Sequence, residues 1–224
     1  MTPTLASVRF LGIDIDVAGN VLRPRAETEL LAREALSLLD ENVPSRCIDM
    51  CCGSGNLAVA LATNRPAAEI WASDLTDDAV AATRRNVEQL VLGDRVHVVQ
   101  GDMFAALSGG GLEGTIDMVV ANPPYISTHR LLEGEGAHLL HEEPREAFDG
   151  GPYGIALHQR LIAEAPSFLK EGGWLGMEFG LGQARQIATL VKRARIFGEV
   201  RWSRNEEGED RVVFLRKGAP EAGA

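Results

Sequence analysis

Asn122-Pro123-Pro124-Tyr125 sets an amide, two donor-free rings and an aromatic plane side by side. Asparagine both donates and accepts hydrogen bonds. The prolines fix φ and remove two N–H groups, leaving carbonyl oxygens as the polar backbone atoms. Two acceptors beside a ring suit a neutral, planar –NH2 group, held through its hydrogens and stacked on its face. Other positions are suited to binding. Gly53 and Gly55, in Asp49-Met50-Cys51-Cys52-Gly53-Ser54-Gly55, permit a tight turn and close approach of backbone to a nucleotide-like ligand. Asp74 follows about 20 residues later, where an acid commonly binds ribose hydroxyls. Asp102 could accept from an exocyclic amino group, with Phe104 packing on its ring. The equally simple roles are helix cap for Asp74 and turn residue for Asp102. No Gly-Lys-Ser/Thr follows the glycines, which argues against a P-loop.

These residues fall where strands should end. The apolar run Ile116 to Ala121 stops at Asn122, and prolines cannot continue a strand ladder. Strands are also expected at 46–50, 69–73, 96–100 and 173–179, with helices at 27–39, 56–64, 76–90, 154–169 and 181–194. Thr76 is the expected cap of its helix. Strands at 198–203 and 211–215 flank a turn at 204–209. Val8 to Val17, a turn at Gly19-Asn20, and Val21-Leu22 suggest an entrance hairpin. The alternation predicts an α/β fold with a seven-stranded, mostly parallel sheet, helices on both faces, a terminal antiparallel hairpin and the short N-terminal hairpin. Ligands of such sheets bind outside the carboxyl ends of the strands. Residues 127–153 are polar and aperiodic, as a lid or binding loop would be.

The chain has 224 residues and 45% hydrophobic content, enough for one well-buried domain. Its net charge of −10 gives no general attraction to phosphate backbones, so nucleic acid is disfavoured as a partner. No apolar stretch nears the roughly 20 residues of a membrane span. There is no secretory signal pattern at the start. Cys47, Cys51 and Cys52 form no disulfide framework and read as buried thiols in a reducing cytoplasm. His138, His141 and Glu142 lack zinc spacing, and no metal is expected.

The order of glycine turn, Asp74, Asp102 and Asn122-Pro123-Pro124-Tyr125-Ile126 resembles the Rossmann-like class I methyltransferases that use S-adenosyl-L-methionine. Two further segments narrow the resemblance to the HemK/PrmC protein-(glutamine-N5) methyltransferases. Leu22 to Leu31 is similar to the family's Pro-Arg-x-Glu-Thr-Glu segment, and Glu143-Pro144-Arg145 to its Glu-Pro-Arg segment. Leu169 through Glu178 matches the strand that follows. The resemblance runs over about residues 8–216 and is to the form without an N-terminal helical domain. It divides the chain into an N-terminal hairpin and helix (1–45), a cofactor-binding methyltransferase domain (46–217) and a flexible tail (218–224).

The resemblance implies a cofactor pocket formed by Arg25, Thr28, Asp49, Cys51, Gly53, Gly55, Asp74, Leu75, Asp102, Met103, Phe104 and Asn122. Asp74 would hold the ribose and Asp102 the adenine. Asn122 and the Pro123 carbonyl would accept from the substrate amide, with Tyr125 stacked on it. Pro124, Glu143 and Arg145 complete the implied substrate site, the last two as a brace for the loop. No general base is needed if the proton leaves after methyl transfer. Cys51 stands at the family's first motif glycine, where a Cβ is accommodated if φ is negative. The resemblance implies a protein glutamine as the acceptor, with a peptide-chain release factor as the expected partner. The alternatives are a small amide, guanidine or amine, which acids such as Glu133 and Glu135 could attract, and, more remotely, DNA adenine. Oligomeric state is not implied.

Overall fold

Apolar residues that alternate between two buried faces build the centre of this molecule. The computed structural model describes residues 7–132 and 147–218. In chain order they form β1 (Ser7–Phe10), β2 (Ile13–Asp16), α1 (Ala26–Leu38), β3 (Ser45–Met50), α2 (Asn56–Asn64), β4 (Ala68–Asp74), α3 (Asp77–Gln89), β5 (Val96–Gln100) and a 3-10 turn (Met103–Leu107). Then come β6 (Ile116–Ala121), α4 (Thr128–Leu132), α5 (Ala156–Phe168), β7 (Leu169–Glu178), α6 (Ala184–Ala194), β8 (Phe197–Arg204) and β9 (Asp210–Lys217).

Seven strands make one sheet in the order β5-β4-β3-β6-β7-β9-β8. The first five are parallel neighbours, and β9 runs antiparallel between β7 and β8. Cys47, Met118 and Val120 enter one core cluster with residues of α1, α2 and α3. Ile48, Met50, Val119 and Ala121 enter the other, with the 3-10 turn, α5 and α6. A period of two that is apolar on both sides is what a doubly covered sheet demands. Successive strands run outward through β4 and β5 on one side of β3, and through β6 and β7 on the other. The carboxyl ends of β3 and β6 therefore flank the switch point where such sheets bind ligands.

The entrance hairpin differs from expectation. It turns at Leu11-Gly12, with φ of 46° and 80°, and joins Phe10 to Ile13 directly. Two left-handed residues match the twist of a two-residue hairpin. Val21-Leu22 is not a strand. The apolar phase in fact breaks between Phe10 and Ile13, which marks the true turn.

Asn86 of α3 fastens this hairpin to the core. Its Oδ1 accepts from Asp16 N at 2.7 Å, and its Nδ2 donates to Asp16 O at 2.9 Å and Ser54 O at 2.8 Å. Asp16 in turn accepts from Ala18 N and from Arg85 Nε. Asn86→Ala would leave three buried backbone groups unpaired and is expected to cost about 3 kcal/mol or more, read by urea unfolding. A cost below 1 kcal/mol would mean the hairpin is held by apolar packing alone.

Candidate functional site

The turn after β3 is built by glycine geometry and two carboxylates. Gly53 and Gly55 are left-handed, with φ of 56° and 78°. A Cβ on Gly55 would lie 2.7 Å from the Thr83 side chain, so the close packing of turn on α3 requires glycine there. Asp49, at the end of β3, is fully buried and accepts from Ala58 N at 2.9 Å, closing the start of α2. Burial pushes its carboxyl up to about 8. Its Oδ1 has no hydrogen-bond partner among the described residues.

Asp74 ends β4 and reaches back to the same turn. Its Oδ2 accepts from Gly53 N at 3.0 Å, and its Oδ1 from Thr76 N and Thr76 Oγ1 at 3.1 and 3.2 Å. Thr76 caps α3 by accepting from Ala79 N. Asp102 follows β5, and its Oδ1 accepts from Arg160 Nη1 at 2.6 Å.

A cavity opens between these strand ends. Cys51, Gly53, Asp74, Leu75, Asp102, Met103, Asn122 and Pro124 line it, so eight of the expected site residues converge there. Six other expected residues fall differently. Phe104 does not reach the cavity: Met103 adopts a left-handed φ of 50°, turning Met103 toward the cavity and Phe104 into the core, where its ring lies 4.9 Å from Phe168. Asp49 and Gly55 shape the turn from behind instead of lining the cavity. Tyr125 faces a second cavity. Arg25 and Thr28 border a narrow crevice beside the Gly53 turn, which Asn122 shares. Glu143, Arg145, His138, His141, Glu133, Glu135 and Glu142 lie outside the described residues.

Cys51 also departs from expectation. Its φ is 60°, not negative, so a non-glycine residue holds a left-handed conformation at the cavity wall. Such a conformation costs about 1–2 kcal/mol. Glycine there would lose about 0.5–1 kcal/mol through the entropy of its unfolded chain. Cys51→Gly is therefore expected to raise stability by roughly 0.5–1 kcal/mol, measured by chemical denaturation. A destabilised variant would show that the Sγ contact with Met103 Sδ, at 3.9 Å, outweighs the strain. Burial pushes all three thiols up, Cys47 to about 12.

The motif runs from the first cavity, which Asn122 and Pro124 line, to a second, which Tyr125 lines. Arg25, Tyr125, Arg130, Tyr153, Gln183 and Arg211 are among the residues lining the second. Asn122 Nδ2 donates to Thr28 Oγ1 at 3.0 Å. Its Oδ1 and the carbonyl of Pro123 accept no hydrogen bond from any described residue. Burial raises the Tyr125 hydroxyl to about 12, so it stays neutral at neutral pH.

The segment returning from residue 147 clamps the motif from outside. Ile126 N donates to Phe148 O and Gly150 N to Ile126 O, both at 2.8 Å. A Cβ on Gly150 would lie 2.7 Å from Pro124 O. Gln183 Nε2 donates to Tyr125 O at 2.8 Å and Gly154 O at 3.1 Å, while its Oε1 accepts from Gly180 N. Sequence reasoning missed Gln183, Arg211 and the cavity-lining Asn20, Val21 and Leu22. The glycines at 150, 151 and 154 were the visible sign of a close approach.

Comparison with known proteins agrees with this geometry. A family model described as the methyltransferase small domain matches residues 28–153. The release factor glutamine methyltransferase of Geobacter sulfurreducens is 35% identical over 214 residues, covering 96% of this chain and 72% of its own length. That of Caulobacter vibrioides is 36% identical, with 92% and 69% covered. This chain belongs to the release factor glutamine methyltransferase family. Among solved structures, a protein-(glutamine-N5) methyltransferase of Alicyclobacillus acidocaldarius is 26% identical with a TM-score of 0.52, covering 92% of this chain and all of that one. The human METTL16 catalytic domain, solved with an RNA hairpin, has a TM-score of 0.67 at 15% identity, with 93% and 78% covered, and shares the fold.

As a member, the protein is a methyltransferase dependent on S-adenosyl-L-methionine. The cavity fits that molecule. Acceptors at Asp74 and Asp102 stand at the ends of β4 and β5, and Met50, Met103 and Leu157 supply apolar surface between the strand ends. No helix among the described residues is long and apolar enough to cross a membrane. Among the described residues there is no cluster of three metal-ligating side chains.

Proposed function

We propose that this protein methylates the side-chain amide nitrogen of a glutamine in a protein, with a peptide-chain release factor as substrate. The names of its relatives support the substrate class. One structural observation supports the chemistry above all. Thr28 takes the Asn122 Nδ2 hydrogen, which leaves Asn122 Oδ1 as an acceptor at the cofactor cavity, next along the chain to the carbonyl of Pro123. Two acceptors there match the two hydrogens of an amide –NH2.

An amide nitrogen is a weak nucleophile because its lone pair is shared with the carbonyl. Bound S-adenosyl-L-methionine supplies a methyl group already activated by a sulfonium. The protein's task is then placement in line and favourable dipoles on the N–H bonds as positive charge grows on nitrogen. In this reading Asp74 binds the ribose hydroxyls and Asp102 the adenine amino group through the oxygen that Arg160 leaves free. Asn122 and Pro123 hold the amide. Tyr125 flanks it from the second cavity, through which the peptide enters. Pro124 forms the wall toward the cofactor.

Incubation of purified protein with labelled S-adenosyl-L-methionine and a release factor tests the proposal. Label should enter the release factor and vanish when the acceptor glutamine is replaced by alanine. Label entering only small amines, amides or DNA would refute the glutamine assignment.

A further inference from the structure

Glu178, the last residue of β7, is the most deeply buried carboxylate near the motif that the chemistry above leaves unused. It is fully buried, and neither oxygen has a hydrogen-bond partner among the described residues. A carboxylate so placed is costly unless neighbours compensate it. Burial pushes its pKa up to about 7, and the hydroxyl of Thr28 opposes that shift most strongly, followed by Arg211. Arg25 and Glu27 act on it more weakly and in opposite directions.

Its two main neighbours are the residues that touch the ends of the motif. Thr28 Oγ1 accepts from Asn122 Nδ2 at 3.0 Å. Arg211 Nη2 lies 3.6 Å from Glu178 Oε1 and 3.5 Å from the Tyr125 hydroxyl, while Arg211 Nε is fixed on Phe179 O at 3.1 Å. One carboxylate thus stands behind both Asn122 and Tyr125.

Resting on the glutamine reading, we propose that Glu178 is a positioning residue that sets the polarity of a Glu178–Thr28–Asn122 relay, so that Asn122 presents its oxygen to the acceptor amide. The logic is one of donors and acceptors. An ionised carboxylate only accepts, so the Thr28 O–H turns to Glu178. Thr28 Oγ1 is then left to accept, which selects the Asn122 rotamer with Nδ2 inward and Oδ1 toward the substrate. The reversed rotamer would aim an –NH2 donor at the substrate's own –NH2.

Glu178→Gln, nearly isosteric, tests this directly. Arg211 donates, so it draws the new amide's oxygen and leaves the amide's –NH2 facing Thr28. The Thr28 hydroxyl then turns to Asn122, and Asn122 reverses. At pH 8, kcat for a glutamine peptide is expected to fall about 100-fold, with S-adenosylhomocysteine affinity changed less than about twofold. The Asn122 side-chain 15N–1H resonance, assigned by its loss in Asn122→Asp, should shift and exchange faster with solvent. Thr28→Val should reproduce both effects, and Thr28→Ser should recover most of the loss seen with valine. A wild-type kcat and an unmoved Asn122 resonance in Glu178→Gln would overturn the proposal. If that variant unfolds, unchanged kcat and resonance in Thr28→Val overturn it instead. The resonance reads the relay without any acceptor. If the wild-type protein fails to methylate glutamine while the resonance shifts as described, the substrate reading falls and the relay stands.

Discussion

Asn122→Ala is expected to lower kcat by on the order of 10²–10³-fold while S-adenosylhomocysteine binds almost as before. The prediction follows from where Asn122 sits. It lines the cofactor cavity, follows the last residue of β6, and among the described residues is tied into the fold by one side-chain hydrogen bond, to Thr28. The alanine variant keeps the backbone and both prolines, so the strand end and the Pro123 carbonyl stay in place. What is lost is one of two acceptors that orient the amide and stabilise its N–H bonds as charge develops. An acceptor dipole fixed in advance is worth several kcal/mol at a water-excluded centre, which is why removing one group produces so large an effect. Stopped-turnover assays with saturating cofactor, together with calorimetric titration of S-adenosylhomocysteine, separate the two quantities. Equal loss of turnover and of cofactor affinity would contradict the assigned role.

Asp74→Ala should show the opposite pattern, with cofactor affinity down by about 10- to 100-fold and kcat at saturation much less affected. A hydrogen bond to a charged group contributes about 1.5–3 kcal/mol, and each 1.4 kcal/mol is tenfold in affinity. Asp74 also holds Gly53 N and Thr76, so its removal loosens the turn on which the cofactor rests. Both effects fall on binding. Calorimetry on the variant reads them, and unchanged affinity would remove Asp74 from the ribose site.

The parts of this site that were legible in the sequence are those fixed by local chemistry. Proline cannot continue a ladder, so β6 ends where Asn122-Pro123-Pro124 predicts, and both its bounds and those of β5 match the expected ranges. Thr76 caps α3 because its hydroxyl is the right length at the right position. What was not legible depends on the direction a side chain takes after an unusual backbone step. Its spacing from Asp102 points Phe104 at an adenine ring. A left-handed Met103 exchanged the two directions, and nothing in a methionine announces positive φ. Cys51 hides the same conformation under a side chain that normally avoids it. Glu178, behind the motif, lies 56 residues further along the chain than Asn122, on a strand one position further out in the sheet. Its nearness to Thr28 follows from topology that periodicity alone does not give.

The central claim is that β6 ends where the activated methyl group meets its acceptor, with Asn122 and the Pro123 carbonyl on the acceptor's hydrogens. A crystal structure with S-adenosylhomocysteine and a glutamine peptide tests it most directly. The ribose is expected on Asp74, the sulfur facing Asn122, and the glutamine nitrogen bonded to Asn122 Oδ1 and Pro123 O. A glutamine side chain seated away from these two oxygens, or a sulfur remote from the end of β6, would contradict it.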